Sequence, residues 1–128
     1  MSNIDKARQM LSELGQSSES ARQTIRKWFT DSTRWENVGL RVTNGVDEAI
    51  AFHDQYDEED GLETIEANIS TIVEQGNKVL MERTDTMRRR DGSLIASFPV
   101  MSIMEFEGDK VVQWRDYFDT VPWMQPRD

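Results

Sequence analysis

Apolar residues recur at three- and four-residue intervals along the first third of the chain. Ile4, Ala7, Met10, Leu11 and Leu14 share one side of a predicted helix, and Gly15 reads as its stop. Ser17 or Ser18 then caps a second helix, whose apolar side is Ala21, Ile25, Trp28 and Phe29. Asn44-Gly45 marks a turn, and Val46, Ala49, Ile50 and Phe52 mark a third helix. After Gly61 the pattern moves from helical spacing towards alternation. Leu62 to Glu74 is rich in Thr, Ile and Val, and Gly76-Asn77 forms a turn. Lys78 to Arg90 reads as a long strand, and Asp91-Gly92 is a hairpin signal. Leu94 to Phe106 is the returning strand, Gly108-Asp109 the next turn, and Lys110 to Phe118 the last strand. Helices followed by an antiparallel meander define an α+β fold. No repeat, linker or low-complexity stretch divides residues 1–128, so a single domain is expected. A strongly curved sheet wrapped over the helices would leave a pocket on its concave face.

Two strands break their own pattern. Alternate side chains of a strand share a face. On Lys78–Arg90 one face carries Val79, Met81, Arg83, Asp85 and Met87, apolar apart from the charged pair. On the last strand one face carries Val112, Trp114, Asp116 and Phe118, with Asp116 between two aromatics. A buried face tolerates charges only when they are paired or used. Two carboxyls around one guanidinium would leave one negative charge in excess if all were ionised. One carboxyl should therefore stay protonated while the other stays ionised. That supplies a general acid and a general base in one pocket, with the arginine fork able to bond both. A purely structural buried Arg–Asp network is the equal alternative.

Composition narrows the remaining classes. With no cysteine, disulfides, thiolate metal sites and a cysteine nucleophile are excluded. A formal net charge of -9 argues against nucleic acid and anionic membranes as partners. The opening MSNIDKARQM has no apolar leader pattern, and no apolar run approaches a membrane span, so a soluble cytoplasmic protein is expected. The acidic run Asp54–Asp60 reads as a solvated helix end.

The same residues carry a family likeness. Glu82-Arg83-Thr84-Asp85 resembles the Arg-x-Asp strand motif of the limonene-1,2-epoxide hydrolases. Trp114-Arg115-Asp116-Tyr117-Phe118-Asp119 resembles that family's Trp-Arg-Asp-Tyr-Phe-Asp stretch. Trp35-Glu36-Asn37 falls where the family has Tyr-x-Asn, and Gly45-Val46-Asp47-Glu48-Ala49 resembles the segment that follows. The likeness runs from the helix around Ala21 to about Phe118. It implies a cone-shaped curved antiparallel sheet wrapped over N-terminal helices, the nuclear transport factor two-like or cystatin-like fold. It also implies one-step hydration of a hydrophobic, terpenoid-like or cyclic epoxide to a vicinal diol. By position Asp116 would deprotonate the water, Asp85 would protonate the epoxide oxygen, and Arg83 would bridge them. Asn37 would help hold the water, with Trp35 beside it. The family implies no metal or organic cofactor, and a homodimer formed through the outer sheet face.

Trp35 departs from the family tyrosine. A hydroxyl donates and accepts, whereas an indole N–H only donates. Slower hydrolysis, a shifted water or a related reaction is therefore expected. Isomerisation, dehydration or cyclisation of a polyketide or terpenoid by the same carboxylates is the second reading. A non-catalytic small-molecule-binding module is the third.

Trp28, Met81, Met87, Met104, Trp114 and Phe118 are the candidate pocket walls, with core packing as the competing role for most such residues. His53, the lone histidine, reads as structural, and Tyr117 as a sheet-surface residue. Arg88-Arg89-Arg90 reads as a solvated hairpin tip, and Asp119 as a cap or ion pair outside the pocket. Trp123 and the tail VPWMQPRD either close over the cone mouth or pack at a dimer seam.

Overall fold

The computed structural model describes residues 1–124. The tail residues 125–128, the end of the expected VPWMQPRD closure, lie outside the described residues.

Helix α1 (Asn3–Leu14) starts at a reciprocal cap. The Ser2 hydroxyl accepts from the Asp5 N–H (3.0 Å), and the Asp5 carboxylate accepts from the Ser2 N–H (3.4 Å). Its buried stripe is Ala7, Met10, Leu11 and Leu14. Helix α2 (Ser18–Trp28) is capped by Ser17, whose hydroxyl accepts from the Ser20 N–H at 2.9 Å. Phe29, expected at the helix end, is already extended (φ -89°, ψ 153°) and opens strand β1 (Phe29–Asn37). β2 (Arg41–Asn44) and α3 (Gly45–Asp60) follow. Then come β3 (Leu62–Gln75), β4 (Lys78–Arg89), β5 (Leu94–Glu107), β6 (Lys110–Tyr117) and the short α4 (Val121–Met124).

The strands form one curved sheet in the order β2-β1-β6-β5-β4-β3. Its β3-to-β6 part is the expected antiparallel meander. β1 adds a parallel pairing to β6, and β2 folds back antiparallel on β1. Trp28, Met81 and Met104 pack into the core with Ala7, Met10, Ile25, Val79 and Val111. The predicted alternation on β4 holds, with Val79, Met81, Arg83, Asp85 and Met87 all buried. On β6 it needs one correction, because Val111 rather than Val112 takes the buried position. Phe106 pairs with Val111 and Glu105 with Gln113, so Val112 is the extra residue of a bulge and the faces exchange across it.

Gly15 stops α1 for a reason other than backbone freedom. Its φ is -89°, open to any residue, but a Cβ there would lie 1.7 Å from the Ile65 carbonyl oxygen. Its own carbonyl accepts the Ile65 N–H at 3.0 Å, tying α1 to β3. Gly15→Ala must push the helix off the sheet, at a cost on the order of 2 kcal/mol. A thermal melt of the variant checks this, and an unchanged midpoint would mean that the helix–sheet junction is looser than described.

Among the described residues no helix is long and apolar enough to cross a membrane.

Candidate active site

Strand register assembles the site. In the parallel β1–β6 pairing Asn37 lies opposite Asp116 and Trp35 opposite Trp114. In the antiparallel β5–β6 pairing Ser102 lies opposite Asp116. Arg83 and Asp85 sit two residues apart on β4, on the same buried face.

The two strands' charges meet around the guanidinium. Arg83 Nε donates to Asp85 Oδ1 (2.8 Å), and Arg83 Nη2 donates to Asp85 Oδ2 (3.1 Å) and to Asp116 Oδ2 (2.9 Å). The other Asp116 oxygen accepts from the Ser102 hydroxyl (2.7 Å) and from the Trp114 indole N–H (2.7 Å). Arg83 is 2% exposed, Asp116 5% and Asp85 8%. Burial alone would depress the Arg83 pKa, but Asp116 and Asp85 outweigh it and hold the guanidinium above its ordinary value. For Asp85 burial wins and pushes the pKa up; the Arg83 charge and hydrogen bonds pull it back, and Asp116 adds to the rise.

This cluster forms part of the wall of an apolar cavity. The space open to the centre of a water-sized sphere is about 100 Å³. A single water needs roughly 10–15 Å³ on that measure, so a small organic molecule fits. β1 and β6 contribute Trp35, Asn37, Trp114 and Asp116, and β4 contributes Arg83, Asp85 and Met87. Leu11, Leu14 and Ile25 reach in from α1 and α2, and Phe52, His53 and Tyr56 from α3. Phe98, Phe118 and Trp123 also line the cavity. Trp123 packs edge-on to Phe98 (5.3 Å between centroids) and to Tyr56 (5.7 Å), so this part of the tail folds over the cavity wall.

Of the residues expected to line the pocket, Met87, Trp114 and Phe118 do so. Trp28, Met81 and Met104 instead belong to the core packed behind it. Trp28 sits at the end of α2 and donates its indole N–H to Glu13 (3.0 Å). Met81 precedes Arg83 by two residues on β4, and Met104 follows Ser102 by two on β5, both buried beyond the cluster. Trp35 stacks on Trp114 (4.9 Å, 15°) and abuts Phe52 edge-on. Among the described residues its Nε1 has no hydrogen-bond partner, and neither has Arg83 Nη1.

The remaining candidates lie away from the acid pair. Tyr117 is on the exposed face, and Asp119 accepts the Val121 N–H (3.1 Å) at the start of α4. Of the hairpin arginines, Arg88 and Arg90 are exposed as expected, although Arg90 also pairs with Asp57 on α3. The acidic run is also partly used, as Arg22 holds Asp54 (2.8 Å) and Asp57 (2.6 Å). The helical wall residues were invisible to sequence reasoning, because apolar spacing is the same for a core face and a cavity face.

The fold is α+β and nuclear transport factor two-like, shared with SnoaL-like and cystatin-fold neighbours. The chain belongs to the limonene-1,2-epoxide hydrolase catalytic domain family, whose model matches residues 2–126. Among solved structures it is similar to an LEH-like epoxide hydrolase of M. tuberculosis, at 26% identity and a TM-score of 0.75, covering 92% of this chain and 83% of that one. It also resembles a putative SnoaL-like polyketide cyclase of Shewanella denitrificans, at 19% identity and TM-score 0.76, over 91% and 90% of the two chains. An uncharacterised cystatin-fold protein of Novosphingobium aromaticivorans matches at 24% identity and TM-score 0.67, over 91% and 97%. No curated protein matches the sequence.

Proposed function

We propose that this protein is an epoxide hydrolase that adds water to a hydrophobic cyclic epoxide in one acid–base step. The observation that carries this reading is Arg83 bridging Asp85 and Asp116 at the wall of an apolar cavity. Family membership supports it. Asp116 takes a proton from a water held beside it by Asn37, its register neighbour on β1. The water oxygen attacks an epoxide carbon, the ring C–O bond breaks, and Asp85 gives its proton to the departing oxygen. Raised by burial, Asp85 is suited to carry that proton. The cycle closes when Asp116 releases its proton and Asp85 regains one. Asp116 accepts from Ser102, Trp114 and Arg83 at once, which holds the carboxylate in place for the water. No covalent intermediate is required.

Incubation with cyclohexene oxide in ¹⁸O-enriched water tests the reading. The expected product is the vicinal diol carrying one solvent oxygen. A second reaction has a specific observation in its favour. Trp35 offers an indole N–H, unpartnered among the described residues, where the resemblance places a hydroxyl. That donor suits a substrate oxygen as well as a water. A substrate hydroxyl could then replace water as nucleophile, giving isomerisation or cyclisation. Product free of solvent oxygen would select that reading over hydrolysis.

A further inference from the structure

His53 is a polar group of the cavity wall that the acid–base step leaves unused. His53 lies on α3, whereas the acid pair sits on β4 and β6. It is buried, lines the cavity, and touches Ser18 through Nε2 (3.2 Å). The hydrogen-bond chain around it fixes its tautomer. The Ser18 hydroxyl lies 2.5 Å from the Leu62 carbonyl oxygen, which can only accept, so the serine proton points there. Towards His53 the serine oxygen therefore accepts, and Nε2 must carry the hydrogen. Nδ1 is left as a bare lone pair, with no partner among the described residues. Burial, then the Arg22 charge, hold the ring below its ordinary pKa against Asp54, Asp57 and Glu63, so it stays neutral near neutral pH.

A fixed acceptor on a mostly apolar wall costs free energy when hydrocarbon covers it and gains when a donor meets it. We propose that His53 is a specificity residue whose Nδ1 accepts a hydrogen bond from a hydroxyl on the substrate skeleton, so that the cavity favours a hydroxylated cyclic epoxide over the bare hydrocarbon epoxide. The inference rests on the reading of this cavity as an epoxide site and adds a second polar anchor, on α3, to the one at the acid pair.

The chain has a single histidine, so ¹⁵N labelling of its ring gives an unambiguous readout without any substitution. The expected spectrum shows Nε2 protonated and Nδ1 bare. Cyclohexanol should move the Nδ1 resonance upfield, and its methyl ether, which cannot donate, should not. In kinetics, kcat/KM for cyclohexenol oxide relative to cyclohexene oxide should fall about tenfold in His53→Phe, the worth of one neutral hydrogen bond of ~1.4 kcal/mol. A protonated Nδ1, or equal responses to alcohol and ether, overturns the proposal. If neither epoxide is turned over while Nδ1 still separates alcohol from ether, the hydrolase reading falls and the acceptor role stands. Turnover of both epoxides without that separation has the opposite meaning.

Discussion

Asp85→Asn and Asp116→Asn should each lower epoxide turnover by roughly 10²–10⁴, the worth of one proton-transfer role. Both changes are nearly isosteric. In Asp116→Asn the amide oxygen can still accept from Ser102 and Trp114, as the carboxylate does at 2.7 Å from each. What it loses is the acceptor that Oδ2 offers Arg83 Nη2 (2.9 Å) and the ability to take a proton from water. In Asp85→Asn the amide can offer a hydrogen bond to the epoxide oxygen but cannot transfer the proton. A network with only a structural role predicts a different result, in which stability changes and there is no turnover to lose. Wild-type turnover by either variant would show that the acid and base are assigned wrongly.

The pH dependence separates the two carboxyls. Asp85 is pushed up by burial, so its acid form, and turnover with it, should be lost as pH rises through that raised value. Stability follows the same sign. The raised folded-state pKa means that the contribution of Asp85 is fully present below the ordinary aspartate value of 3.8 and is lost as pH rises through the folded value. Asp85→Asn should remove that slope from the plot of melting temperature against pH. Turnover and the Asp85 contribution to stability are thus lost together as pH rises.

Much of this site was legible because β4 and β6 each place charge on a buried face, and alternation exposes that from sequence alone. Arg83 and Asp85 between Met81 and Met87 needed no partner to look anomalous. The bulge at Val112 was not legible, since an extra residue leaves no mark in an apolar pair such as Val111-Val112. Strand β1 was hidden for another reason. Its segment FTDSTRWEN is polar and only partly buried, and its pairing with β6 is parallel, so no hairpin turn announces it. Yet this strand delivers Trp35 and Asn37, which came to notice only through family resemblance. Trp28, Met81 and Met104 were misplaced because a large apolar side chain looks the same beside a cavity and behind it. The tautomer of His53 depends on Ser18, 35 positions away, and on the Leu62 carbonyl that the serine bonds, so local pattern does not reveal it.

Arg83→Met should give the largest loss of stability of any change at the site, about 3–5 kcal/mol near neutral pH. The guanidinium is 2% exposed and is the cation that bonds both carboxylates. Its removal leaves two buried acids facing each other with no compensating charge. Methionine fills similar volume, so the deficit would come from electrostatics more than from a hole. The sign with pH follows. Without a cation the buried acids bind protons more readily in the folded chain than in the unfolded one. The variant should therefore recover stability as pH falls, and the gap to wild type should narrow. Adding Asp85→Asn and Asp116→Asn to Arg83→Met should restore much of the neutral-pH melting temperature and leave no turnover. The three changes would then be strongly non-additive, as befits one network. If Arg83→Met alone melts like the wild type near neutral pH, the carboxylates reach water in solution and the dry acid–base pair does not exist. If it melts early and the triple variant recovers, Arg83 is present to make two buried acids tolerable, and the acids are present for what they do to a bound molecule.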